Sequence, residues 1–550
     1  MRRCIRRFPV TLVFALALTA LLLWLVASDW KGDERLLMTL FYYLSVGTLL
    51  SLSLGLWAEE LRSRRLGVVV QVVANVLLMA DALFLYHCTS GARATEICIA
   101  HGAAILAIGL SVFFLPFFRE RDDIPAWNFA QTVVGTLALT VIVGTVMSGG
   151  LCLLTFSLHQ LFGVDVNEKC YLYILIVCSE LLPLLMFLGL LPEGEHKHDR
   201  RPHPTAFARG TIRYLFLPLA VLYLLVLYVY AATILVRWEL PDGWVSWLVT
   251  ALMAGIIAIE AGLYPSRLKN GGKTDERIAR WLPVFALPLL VLMTVGIGRR
   301  FLDYGITINR LYLATLNAWF YYLCIGLIVG RARRLSWIPI SFSLVFLLTS
   351  VLPVNYASIT RRVLRNEVRE ALVNNGPSRL PLSQNAYTDW LSSLPQEQRL
   401  QVNDKLRYLA DWFGTESTSD LVAEGTSFAL LAEEEDEPGT ENLHYNQQDN
   451  TTVALPTGYT RCTLIDRNAL LTAYAPSDSL LVVPLEGMSD TVRLPLDTLR
   501  TRDLHPQLPL PPPLFRTQGD RILLLNTFHI YLDKKKPEAE VRLTGYLFSH

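Results

Sequence analysis

Charged side chains are scarce in this chain of 550 residues: Asp, Glu, Lys and Arg together make up 18%. An ordinary soluble domain carries about a quarter. The shortage is confined to the stretch before Asn355, after which charged and polar residues return. Cysteine is also thinly used. Of the eight, only Cys462 lies beyond residue 355, which excludes an intradomain disulfide there, and no CxxC pair exists to build a thiolate metal site. Cys88, Cys98 and Cys170 fall near one face of the apolar part, where a single disulfide is the alternative to plain packing among helices. There is no HExxH, GxSxG, P-loop or kinase signature, so no residue is named as catalytic and no cofactor is called for. Basic patches interleaved with aromatics are missing outside the short links, which argues against a nucleic-acid partner. No internal repeat of a soluble or inverted-transporter type is found.

What is present is apolar length. Hydrophobic residues make up 52% of the chain, and the mean hydropathy is +0.37. Eleven apolar runs occupy 8–27, 36–57, 66–86, 97–118, 130–161, 170–191, 214–236, 244–264, 281–298, 311–329 and 335–353. A helix needs about 20 such residues to cross the ~30 Å of hydrocarbon, and only self-bonded backbone survives there. Each run therefore predicts a membrane-spanning helix. The run 130–161 is longer than a bilayer is thick, so Gly149-Gly150 kinks it or its end projects into water. The opening Met1–Arg7 followed by Phe8–Ala27 resembles a signal sequence, but its apolar run exceeds a cleavable core and reads as an uncleaved first span.

Orientation follows from the links. Before the first run and after every even one lie 22 Lys and Arg residues, against 8 in the odd-numbered links. The positive-inside rule places the richer set in the cytoplasm. Eleven crossings then put residues 355–550 outside, in the periplasm if the source cell has two membranes. The fold class is thus mainly α: a polytopic helical bundle of about eleven spans with a C-terminal extracytoplasmic α+β domain. Its divisions are 1–353 for the spans, 354–450 for a helical segment and acidic linker, and 451–550 for a β-rich domain.

In the helical segment, Ile359, Val363, Val368 and Leu372 mark an amphipathic helix stopped by Gly376-Pro377. A second helix starts at Pro395, carries Leu400, Leu406, Leu409, Trp412 and Phe413, and ends at Gly414. The acidic run Glu433–Glu437 reads as part of a linker over 415–450. Strands are expected at Thr460–Ile465, Ala469–Tyr474, Leu480–Leu485, Thr491–Leu496, Arg521–Leu525, Phe528–Leu532 and Glu540–Phe548, with turns at 476–478, 486–487 and 535–537. Pro509 and Pro511–Pro513 form an extended connection, and a small sandwich or partly open barrel results.

Ionisable groups inside hydrocarbon are costly, so each is a candidate site. Glu180 lies near the middle of the sixth run, three residues before Pro183, which frees a backbone carbonyl and loosens the helix. A proton or cation site is one reading; a protonated carboxyl bonded between helices is the other. Toward the outer side lie Asp81, His101, Asp303 and Arg310. Arg310, Asn317 and Tyr321 share one helical face, and Gln71 and Asn75 another. These side chains line an outward-open polar vestibule, or else they serve as ordinary interhelical bonds. Thr136, Thr140, Gly144 and Ser148 recur at four-residue steps, a close-packing signal. Glu260, about one turn from the inner end, is expected to snorkel. His196, His198 and His203 in one cytoplasmic link have no rigid framework for a metal.

Across Arg300–Arg310 the chain resembles bacterial multi-span proteins catalogued as domain of unknown function 4153. Their hallmark is a Tyr-Gly-Leu-Thr-x-x-Arg segment entering a late span; Tyr304, Gly305, Thr307 and Arg310 match it, with Ile306 at the leucine position. The opening Phe8-Pro-Val-Thr11 is similar too. The resemblance covers about residues 1–353, implies membrane residence and carries over no activity. Physically, Gly305 permits a tight bend, Thr307 caps the following helix, and Arg310 needs an acidic partner.

The leading expectation is a non-enzymatic cell-envelope protein in the cell membrane. Its N-terminus is cytoplasmic, and an envelope protein partner binds through 355–550. The alternatives are a proton- or ion-coupled transporter using Glu180 and a polyprenyl-linked sugar transferase. Such transferases are similar in span number, in an outer C-terminal domain and in acidic residues of the first outer loop, here Asp29, Asp33 and Glu34. This loop is far shorter than theirs.

Overall fold

The computed structural model describes residues 2–28, 32–88, 91, 93–120, 122–203, 209–237, 244–268, 273–330, 334–375, 380–423, 426, 440–446, 459, 461–471, 480–485, 490–495, 514–517, 521–533 and 538–549. The chain divides into two compact units, Met1–Phe428 and Ala429–His550.

The first unit is helical. Its helices are α1 (Pro9–Ala27), α2 (Glu34–Ala58), α3 (Arg64–Cys88), α4 (Ala94–Phe114), α5 (Ile124–Phe162), α6 (Lys169–Leu190), α7 (Thr211–Arg237), α8 (Trp244–Leu268), α9 (Lys273–Tyr304), α10 (Ile308–Val329) and α11 (Trp337–Val351). Ten of them are long and apolar enough to cross a membrane. The pair α11 and Tyr356–Val373, bent by 43°, passes the same test only when taken together, so the described residues hold ten or eleven candidate crossings. At 1.5 Å per residue, the 15 residues of α11 extend only about 22 Å. The next helix, α12 (Tyr356–Asn375), therefore begins close to the membrane boundary.

Two helices are unusual in length or winding. α5 continues through Gly149 and Gly150 without a break for 39 residues, ending at Gly163 with φ +63°. α6 contains a π-helical turn, Ile176–Leu181, directly before Pro183. A proline removes one backbone donor, and a wider turn is one way to accommodate the loss.

Contacts between links sort them into two ends, as successive antiparallel helices require. Arg7 before α1, Glu59 after α2 and Lys197 after α6 meet. Asp123 after α4 accepts from the backbone N–H groups of Leu335 and Ser336 before α11. At the opposite end, Asp33 before α2 accepts from Tyr86 late in α3. The Lys169 ammonium at the start of α6 approaches the carbonyl of Ala27, the last residue of α1.

α12 is followed by α13 (Gln384–Ser393) and α14 (Gln396–Phe413), the latter started at Pro395 and terminated by Gly414 with φ +75°. α12 and α14 share a core with the ends of the spans, made of Ile308, Ala357, Leu364, Leu409 and Phe413. The expected stop at Gly376-Pro377 lies outside the described residues.

The second unit holds a five-stranded antiparallel sheet and a hairpin. The strands are β1 (Thr440–Asn446), β2 (Arg461–Leu471), β3 (Leu480–Leu485), β4 (Asp490–Pro495), β5 (Leu514–Arg516), β6 (Ile522–Asp533) and β7 (Glu538–Ser549). The order is β1-β6-β7-β2 with β5 also on β6, and β3 pairs with β4. Alternate residues build one core, in which Val483 and Val492 of the hairpin join Leu525, Phe528, Ile530, Val541 and Leu543 of the sheet. Two expected strand pairs, split at 466–468 and 526–527, are continuous as β2 and β6. The second split coincides with a register shift between Leu525 and Thr527. Opposite it stands Gly545, where a Cβ would sit 2.2 Å from the Leu524 carbonyl oxygen, so no side chain fits. β1 falls in a segment that reads as linker. Glu433–Glu437, the expected turns and the proline cluster lie outside the described residues.

Candidate functional site

The structure brings Asp81 and His101 together and adds a third member. His101 Nε2 lies 3.1 Å from both carboxylate oxygens of Asp81, and the Tyr42 hydroxyl donates to Asp81 Oδ2 at 2.8 Å. The other ring nitrogen, Nδ1, faces the Ile97 carbonyl one turn back at 2.7 Å. Both nitrogens thus face oxygen acceptors. Which ring nitrogen donates depends on the tautomer. Three different helices supply the group, and the Tyr42 ring meets the imidazole edge-on at 5.6 Å. Tyr42 gave no signal in sequence, because a tyrosine in an apolar run is ordinary.

Glu180 stands in the π-helical turn of α6 with Oε2 buried and no hydrogen-bond partner. α5 comes very close there. A Cβ at Gly144 would lie 2.8 Å from the Cys178 carbonyl and 2.4 Å from Pro183. Thr136, Thr140, Gly144 and Ser148 are all on the buried face of α5, so the small-residue stripe is the track on which the widened turn rests.

Among the described residues, the other candidates have partners elsewhere. Asn317 donates to Thr294 Oγ1 at 2.7 Å, and Thr294 pairs with Tyr321 at 2.9 Å. Gln71 donates to the Ser51 carbonyl, and Asn75 to that of Gln71. Arg310 reaches back 2.8 Å to the Gly305 carbonyl, clamping the turn from α9 into α10. Gly305 supplies the left-handed conformation at φ +72°, which costs other residues roughly 1–2 kcal/mol. Thr307 occupies the cap position of α10, yet its hydroxyl makes no capping bond. The side chains of Asp303 and Tyr304 lie outside the described part. Next to this turn the Ile308 amide donates to the Tyr408 hydroxyl of α14. On the same cap, Arg361 of α12 pairs with Glu96 of α4 at 2.9 Å and stands 5.9 Å over the Phe413 ring.

One expectation is corrected. Glu260 does not snorkel; it is fully buried. Its helical phase places it with Ile256 and Leu263, both part of the bundle core, rather than on a lipid-facing edge.

The opposite end holds a charge network that reading by segments left dispersed. The Lys197 side chain is 1% exposed. Its ammonium donates to the Leu56 carbonyl at 2.9 Å, Glu59 at 3.0 Å and Glu60 at 2.7 Å, using all three donors. Arg7 holds Glu59 through two nitrogens and also the carbonyls of Leu191 and Pro192. Burial pushes the Glu59 carboxyl up, but Arg7 and Lys197 together outweigh that and hold it below the usual carboxylate range. His198 bridges Glu60 and Glu120, each at 3.2 Å. His203 turns to Asp199 instead, so these two histidines do not converge. Among the described residues no group of three or more His, Cys, Asp or Glu is arranged to hold a metal. Cys98 and Cys170 are free thiols.

Lipid-compatible helices with a few buried polar stations define a polytopic helical membrane protein. Residues 61–393, more than half of the chain, match the family described as domain of unknown function, DUF4153, and the chain belongs to that family. The match begins after α2 and runs to the end of α13, later at both limits than the resemblance to residues 1–353 implied. It takes in Asp81, His101, Glu180, Lys197, Arg310 and Arg361, and leaves out Tyr42, Glu59, Glu60 and the β unit. No curated protein and no solved structure matches.

Proposed function

We propose that this is a non-enzymatic cell-envelope protein whose C-terminal part recognises an envelope partner, with the membrane bundle as its seat. The observation that carries this reading is the cap: α12 and α14 are built into the span ends by the Ile308–Leu409–Phe413 core and the Arg361–Glu96 pair. A segment that merely tethered a domain would need no such seat. The excess of basic residues at the Arg7–Lys197 end supports a cytoplasmic N-terminus and an extracytoplasmic cap. Chemical cross-linking in native membranes tests the proposal. The full chain should yield a defined adduct that maps to residues 355–550 and is lost when the chain stops after Phe428. Cross-links confined to the spans would overturn it. Impermeant labelling of cysteines placed near each terminus checks the orientation, which requires that only the C-terminal one react in intact cells.

A second reading has its own observation. The Tyr42–Asp81–His101 cluster, with the unpartnered Glu180 Oε2, suits proton-coupled transport. Reconstituted vesicles would then show proton flux that Glu180→Gln or Asp81→Asn abolishes, and flux indifferent to both would dismiss it.

A further inference from the structure

An apolar groove of about 480 Å³ opens between α7 and α9 at the end that carries Arg7 and Lys197. Arg277, Trp281 and Phe285 line one wall at four-residue steps, so they follow one another down a single face of α9. Leu217, Val221 and Leu224 line the facing wall on α7. Below Phe285 the groove is closed, because the Tyr228 hydroxyl of α7 donates to the Phe285 carbonyl at 2.8 Å. From mouth to floor the order is guanidinium, indole, phenyl. That is the sequence of environments along a phospholipid: phosphate, glycerol-ester boundary, acyl chain.

The charges around the mouth select among lipids. Arg213 is bound to Asp275 through two contacts of 2.9 and 3.0 Å, and Arg280 pairs with Glu276 at 3.0 Å. Arg277, in the same turn of α9, is exposed and has no hydrogen bond or ion pair among the described residues. Among the described residues both neighbouring acids are thus neutralised, and Arg277 is left with an uncancelled charge. Its planar fork suits a phosphate diester, and its uncancelled charge favours a headgroup of net negative charge over a zwitterionic one.

We infer that the α7–α9 groove is a binding site for one anionic glycerophospholipid from the leaflet on the Lys197 side, with Arg277 on the phosphate and an acyl chain between Val221 and Phe285. Native mass spectrometry of the purified full-length chain tests this after exchange into micelles containing equal phosphatidylglycerol and phosphatidylcholine. The wild-type chain should keep one phosphatidylglycerol in preference to phosphatidylcholine. Arg277→Gln should lower that preference about fivefold, the worth of one basic residue near a membrane surface. Val221→Trp, at an exposed position on the groove wall, should expel either lipid while leaving the melting temperature in lipid-free detergent unchanged. Equal retention of the two lipids by the wild type, or an unchanged preference in Arg277→Gln, would overturn the assignment.

Discussion

At one end of the helical unit the links are tied by Arg7, Glu59, Glu60, Lys197, His198 and Glu120. At the other end α12 and α14 cover the helix termini with an apolar core pinned by Arg361. The difference reflects how much chain each end has to work with. At the first end the links add only a few residues, such as Phe8, Phe117 and Leu191, to the apolar core, so long charged side chains do much of the bridging, and every donor of the buried ammonium must be matched. At the second end a whole amphipathic segment is available, so burial of Leu364, Leu409 and Phe413 supplies the closure and the Arg361–Glu96 pair helps to orient it. One end is a network in which members depend on one another; the other is a lid joined to whatever follows it.

Lys197→Met should have the largest effect and should break the first end alone. It leaves Glu59 with Arg7 alone and Glu60 with His198 alone, a loss of up to about 3–5 kcal/mol, the range for a broken buried pair. A marked fall in melting temperature in detergent should accompany faster proteolysis of the links around residue 60. Arg361→Ala should cost the second end about 1.5–3 kcal/mol, the range for hydrogen bonds to charged groups. Hydrogen exchange should then rise in α12 and α14 and stay unchanged around Glu59. Were both variants to loosen both ends equally, the two could not be separate closures. Gly305→Ala forces a side chain into the left-handed region and should cost roughly 1–2 kcal/mol, read as a smaller shift of the same melting curve.

Acid sharpens the contrast. Glu59 has a depressed carboxyl in the folded chain, so its stabilisation is complete above the ordinary carboxylate range and is lost as pH falls through the lowered one. Melting temperature should therefore decline below about pH 4, with exchange rising first beside Glu59. Thr307→Ala should do least, under about 0.5 kcal/mol, because the hydroxyl makes no capping bond.

Hydropathy and length were enough to find the spans and the fold class, since a bilayer leaves few other structures open to such runs. Pairing across the bundle was harder to see. Asp81 and His101 could be placed at similar depth from their positions in adjacent runs, but Tyr42 needed three helices in contact. Lys197 looked like one more basic residue in an arginine-rich link, and nothing in its neighbours announced that it would be buried. Glu260 showed the opposite failure: counting residues from a helix end gives depth, whereas its fate was decided by phase around the axis. In the β unit, the run around Asn526 looked like two strands because a bulge interrupts alternation without ending the pairing. β1 was hidden because its pattern, Thr-Glu-Asn-Leu-His-Tyr-Asn, is polar almost throughout.

The buried ammonium also sets a timetable. Glu60 leaves the ribosome 137 residues ahead of Lys197, and four more helices must enter the membrane before the lysine can arrive. Until then the acids at the foot of α2 have only Arg7 for company, and they wait at the water's edge. The first six helices therefore cannot lock until the sixth has been threaded. Ribosomes arrested before residue 197 should hold a nascent bundle that is inserted but still open to protease at that surface.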